Sequence, residues 1–232
     1  MEEPLPRHDT GFKRSNEPAL APLTSDESRE LGQLMRKLRE INCANLFVPV
    51  ARLQLLHAVS VADQLKSEDT EAWTTRMQYA RGVAYNIASF NWPGWGWSDV
   101  GDVSEERREL GHSGARTGLQ IAEAINDVTS NILWINGAHS LAARDYETAL
   151  DQFQQAEQRD QTDVGPLMHR GWIALTRLLQ HPHSDRETAY QTALSNLEKS
   201  GLEHAEFFSK QLVTARKVFS EQRSSRASET RS

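Results

Sequence analysis

The chain has 232 residues, 38% of them hydrophobic and 25% charged, with a formal net charge of −6. That length and apolar share suit one ample core or a single elongated array. The acidic balance argues against a nucleic-acid binder, which normally carries a basic excess. A lone cysteine, Cys43, leaves no intramolecular disulfide to form and fits a reducing compartment. The Met-Glu-Glu-Pro-Leu-Pro start lacks the basic and apolar regions of a secretory leader, and no apolar run approaches a membrane span. A cytoplasmic protein with no membrane partner is expected.

In chain order, residues 1–23 hold four of the eight prolines and little periodicity, and read as a disordered arm. Thr24 and Glu27 form a capping box ahead of Leu31, Leu34, Leu38 and Ile41 at helical spacing. A second helix is predicted to open near Val48-Pro49 and a third to span about 70–90, with Trp73, Met77, Ala80, Ala84 and Ile87 as its stripe. Residues 91–103 break all periodicity, because Trp92-Pro93-Gly94-Trp95-Gly96-Trp97 cannot continue a helix. Asp102 and Glu105 signal a restart toward about Asp127, with Gly111 and Gly114 predicting a kink or a late start near Ala115. Two hairpins follow, at 130–143/146–159 and 165–180/185–200. The second has Ser184 and Glu187 as capping box and Gly201 as left-handed terminator. Ala205, Phe208, Leu212, Ala215 and Phe219 make one more amphipathic helix, and 220–232 read as a solvated tail.

Gly137 and Gly171 stand 34 residues apart, and each is followed by a helix reading Tyr-x-Thr-Ala-Leu-x-x-apolar, Tyr146–Phe153 and Tyr190–Leu197. Repeated helix pairs cannot bury their apolar faces alone and must stack. Residues 131–160 resemble the tetratricopeptide repeat (TPR) family. Leu133, Gly137, Ala149, Phe153 and Ala156 stand at that motif's large, small, small, aromatic and small places, with Asp145-Tyr146 between the helices. Asn136 departs from the family's leucine and Gln161 from its usual proline. A second unit matches at Leu167, Gly171, Ala174, Ala193 and Leu197 with about ten extra residues, assigned to the loop around Gln180–His183. A fainter third has Gln78, Gly82 and Tyr85. The resemblance implies an all-α fold, a right-handed stack of antiparallel helix hairpins closed by a C-terminal capping helix. Degenerate hairpins would fill 24–129 and two repeats plus the cap 130–219.

In that family the first helix of each unit lines a concave face. The resemblance therefore implies a partner surface of Tyr79, Val83, Asn86, Asn131, Trp134, Leu141, Met168, Trp172 and Thr176, apolar and without the Lys, Asn and Arg of a carboxylate clamp. A protein or peptide ligand suits such a strip. In a short array the same residues would serve equally as core under neighbouring helices. The Trp92–Trp97 loop is open to two readings: it folds back as a plug near Trp134 and Trp172, or Trp95 and Trp97 form a platform for a small molecule or glycan. A non-catalytic scaffold without cofactor is expected, since no nucleotide loop, zinc pattern or nucleophile elbow occurs. His181, His183, His204, His139 and His169 lack a metal-ligand spacing. The acidic cluster Asp99, Asp102, Glu105, Glu106 and Glu109, with Arg107 and Arg108 interleaved, reads as a solvated helix start.

Overall fold

The structure, a computed structural model, describes residues 25–41, 43–65, 70–95 and 103–229. The proposed arm 1–23, Thr24, Trp97, Asp99 and Asp102 lie outside these residues. Nine α-helices and no strand occur among the described residues: α1 (Ser25–Glu40), α2 (Ala44–Leu65), α3 (Thr70–Phe90), α4 (Glu105–Ala124), α5 (Ser130–Ala142), α6 (Tyr146–Arg159), α7 (Gly165–Gln180), α8 (Ser184–Lys199) and α9 (Ala205–Glu229). A short 3₁₀ turn, Pro93–Trp95, sits between α3 and α4. Each helix packs on the next in sequence. Contacts one step further join α2 to α4, α3 to α5 and α7 to α9, and α9 also covers the 3₁₀ turn.

Several helix starts differ from the sequence expectation, each for a local reason. The Cys43 carbonyl accepts the amides of Leu46 and Phe47 at 3.2 and 3.0 Å, so α2 begins at Ala44 and Pro49 lies inside it, beyond the first turn. The side chain of Ser104 takes the cap of α4, and His183 Nδ1, accepting from the Asp185 amide at 3.3 Å, takes that of α8 in place of Ser184. Asp145 caps α6 by accepting the Thr148 amide at 3.2 Å. Gly201 adopts φ +65° after α8, the left-handed terminator expected. The ten extra residues of the second hairpin lengthen α7 and α8 themselves, because only 181–183 separate them. Helix α9 runs on to Glu229, through most of the segment read as a tail.

Gly111 and Gly114 neither kink nor delay α4, which is one unbroken helix. They are points of close approach. A methyl group at Gly114 would lie 3.0 Å from the Ala84 carbonyl oxygen and 3.2 Å from the Ala88 nitrogen, so α4 rests on the backbone of α3. Buried Ala80, Ala84 and Ala88 on one helix and Gly111, Gly114, Ala115, Gly118 and Ala122 on the other form this seam. Small residues allow it because no side chain holds the axes apart.

Gly137 and Gly171, 34 residues apart, serve different neighbours. A methyl at Gly137 would strike the Phe153 ring at 2.8 Å, within its own hairpin, whereas Gly171 makes room for Leu212 of α9. Asn136, the departure from the family's leucine, is buried and donates to the Ala115 carbonyl of α4 at 2.8 Å and to Ile132 at 3.0 Å. A leucine there would forfeit that link between helices.

Candidate functional site

The end of α3 organises the centre of the molecule. A helix leaves its last four carbonyls without intrahelical partners, and here side chains from three directions serve all four. Asn91 Nδ2 donates to Ile87 at 2.8 Å, His139 Nε2 to Ala88 at 3.0 Å, Trp95 Nε1 to Ser89 at 2.6 Å, and an Arg107 Nη to Phe90 at 3.0 Å. Arg107 Nε also donates to Asn91 Oδ1 at 2.9 Å, and its guanidinium lies over the Phe47 ring at 5.7 Å. The cation thus stands at the negative end of the α3 dipole. Arg107 is buried, not part of a solvated helix start. Glu105 and Glu106 do occupy the first turn of α4, exposed, as their charges favour.

Holding the α3 terminus in this way turns the chain inward at Trp92, whose side chain is 0% exposed. Its indole Nε1 donates to the Ala138 carbonyl of α5 at 2.9 Å. Ring centroids of Trp95, Trp172, Trp134 and Phe219 lie 5.1, 5.5, 5.8 and 6.1 Å away, in edge-to-face geometry. Trp134 and Trp172 are 5.9 Å apart, and Phe153 stacks on Trp172 at 5.7 Å. Edge-to-face pairs suit the ring quadrupoles and add to what burial alone contributes. Gly94 is compact for the same reason, since a methyl there would overlap the Trp92 ring.

Most of the predicted partner surface is consequently interior. Val83, Trp134, Leu141, Met168, Trp172 and Thr176 are all buried, and Thr176 spends its hydroxyl on the Trp172 carbonyl at 2.8 Å. For Trp134, Leu141, Met168 and Trp172 the physical reason is the inward turn at Trp92 together with α9, which fill the space they face, whereas Val83 is covered by α1 and α2 through Met35, Leu38 and Phe47. Trp95 is half-buried, and its indole is committed to Trp92, Trp134 and Ser89. Tyr79, at 42% exposure, Asn86 and Asn131 stay open to solvent. Tyr79, Gly82 and Asn86 share one stripe of α3, and the space above Gly82 is empty.

The histidines are spread over separate tasks. Burial lowers the His139 pKa to about 4, against a smaller opposing effect of its bond to Ala88 and with a further lowering from His112. His169 is also lowered by burial although it contacts Asp160 at 3.1 Å. Burial would raise the Asp160 carboxyl, but the Thr162 hydroxyl and amide and His169 together hold it low. This clamp fixes the α6–α7 turn, where the family has proline. His183 caps α8, and no group of His, Cys, Asp or Glu suited to a metal ion occurs among the described residues.

No protein-family model, curated protein or solved structure matches this chain. Its chemistry has to be read from its own residues. The ionisable side chains drawn together at the α3 terminus, Arg107 and His139, are engaged by backbone carbonyls, which suits holding a fold better than transferring protons. Among the described residues no helix is long and apolar enough to cross a membrane.

Sequence reasoning missed Arg107, Asn91 and His139 as a group. Asn91 directly after a predicted helix end was the available signal, since a short amide there can return to the helix carbonyls. Nothing local marked Arg107, sixteen residues on.

Proposed function

We propose that the chain is a non-catalytic scaffold of TPR-like helix pairs, and that it takes a protein or peptide segment on the open stripe of α3. The observation carrying this reading is the division of the family's ligand-facing places. Those on α5 and α7 are buried except Asn131, while on α3 Tyr79 and Asn86, with Gly82 between them, present an aromatic ring, an amide and bare backbone to solvent and only Val83 turns inward. The contacts between alternate helices and the repeated glycine spacing support a stacked-pair architecture. A glycine with open space above it lets another chain approach the helix backbone, flanked by groups able to stack and to hydrogen-bond.

A displayed peptide library selected on the full chain tests the reading. Selected peptides are expected to lose about tenfold or more in affinity for Tyr79→Ala and Gly82→Glu, as for anchor positions generally. Substitution of exposed Gln154 on α6 should leave their binding unchanged. Equal binding to all three variants, or no enrichment on the wild-type chain, would sink it.

A further inference from the structure

The two ends of the helix array are finished differently. At one end α9 lies over the last hairpin with Leu212 and Ala215 buried and Phe219 in the tryptophan cluster, leaving only Phe207 and Val213 of its large apolar side chains exposed. At the other, α1, the turn after it and α2 carry five exposed large apolar side chains: Leu34, Ile41, Leu46, Leu53 and Leu56, at 39–70% exposure. On α2, Leu46, Leu53 and Leu56 with exposed Pro49 form a single stripe. On α1, Glu30, Leu34 and Lys37 recur at helical spacing, with Ile41 in the turn that follows, and all are exposed. Terminal units of a helical array normally show a polar outer face.

The charge pattern identifies what covers this one. Residues 25–65 carry five acids (Asp26, Glu27, Glu30, Glu40, Asp63) and five bases (Arg29, Arg36, Lys37, Arg39, Arg52), hence no net charge in a chain of −6. Two copies that would repel elsewhere do not repel here. Within α1 the charge is polarised. Asp26, Glu27 and Glu30 against Arg29 give the first half −2, and Arg36, Lys37 and Arg39 against Glu40 give the second half +2. Such a helix is complementary to itself run antiparallel. A twofold axis between Gln33 and Leu34 sets Glu30 of each copy opposite Lys37 of the other, with Leu34 beside the axis. Symmetry makes this one patch serve both partners.

We infer that the α1–α2 pair is the interface of a twofold-symmetric dimer of this chain, with α1 crossing its copy antiparallel. Helices of 16 and 22 residues span about 24–33 Å. A face two helices wide then offers roughly 600 Å² per copy, at the low end for a specific complex. An interface of that size suits a reversible association. It rests on a different surface from the α3 stripe and is independent of ligand binding there.

Sedimentation of the full chain over a concentration series tests this. The wild-type chain is expected to pass from monomer to dimer, and Leu53→Asp/Leu56→Asp to stay monomeric with unchanged far-ultraviolet circular dichroism. Glu30→Lys and Lys37→Glu should each weaken self-association about tenfold or more, because symmetry duplicates every like-charge contact. Mixing those two variants should restore a dimer, since the two bases that one variant presents at these positions would face the two acids of the other. A wild-type chain that stays monomeric into hundreds of micromolar overturns the inference. So does dimerisation that survives Leu53→Asp/Leu56→Asp, or single charge variants that mixing fails to rescue. Dimerisation that appears only once residues 1–24 are removed would make that segment the occupant instead, which also overturns it.

Discussion

The seam between α3 and α4 and the interior enclosed by α5, α7 and α9 solve the same packing problem in opposite ways. In the first, glycines and alanines remove the side chains and the helix backbones approach directly, as the 3.0 Å from a methyl at Gly114 to the Ala84 carbonyl shows. In the second, large rings do the filling: Trp92 with its four aromatic neighbours occupies the space between the helices. A close seam tolerates no added atom, whereas a filled interior tolerates no removed one. The two meet at the α3 terminus, where Arg107 and His139 reach across to hold the carbonyls that end the seam and begin the loop.

The contrast can be broken most directly at Trp92. Trp92→Ala should lower the unfolding free energy by about 4 kcal/mol, the cost of emptying a large buried site, measured by urea denaturation. A loss below about 1 kcal/mol would show that the indole is not core. The junction between the regions is open to test by pH. His139 is neutral when folded, with its pKa near 4 against an ordinary 6.5. The unfolded chain therefore binds the extra proton as pH falls through 6.5, and stability drops until pH reaches about 4. That amounts to roughly 3 kcal/mol. His57, His112 and His169, all shifted downward chiefly by burial, act in the same direction. His139→Gln keeps a donor for Ala88 without the titration. Its denaturation midpoint should fall less steeply between pH 6.5 and 4, and an unaltered slope would remove His139 from the account.

Glycines sharpen the comparison on a smaller scale, and with opposite signs. Gly111→Ala puts a methyl 2.6 Å from His139 Cε1 and 2.9 Å from Asn91 Cβ, and should cost about 2 kcal/mol through overpacking. Gly82→Ala, on the open stripe of the same seam's first helix, meets nothing within 4 Å. It should gain about 0.5–1 kcal/mol from helix propensity. Thermal melts of the two variants moving in the same direction would contradict the assignment of the seam.

Helix placement was largely legible along the chain, because caps, breakers and periodicity act within a few residues. Thr70–Phe90 and Ala205 onward follow from apolar spacing, and Gly201 from its left-handed turn. The candidate surface was legible only in part. The resemblance to the repeat family assigned Trp134 and Trp172 to a common face, but whether a face is groove or core depends on what the chain returns to it. Here Trp92 and Phe219, from distant elements, occupy that place.

The sequence by itself determined an all-α chain, because amphipathic period and capping chemistry are local properties of the residues. Only the tertiary structure decided that Gly111 and Gly114 are contacts and not breaks, that Arg107 is buried, and that most of the predicted groove is closed. Each of those outcomes depends on atoms brought together from separate helices, such as Arg107 on α4 and the Phe90 carbonyl on α3. No local pattern encodes such a distance.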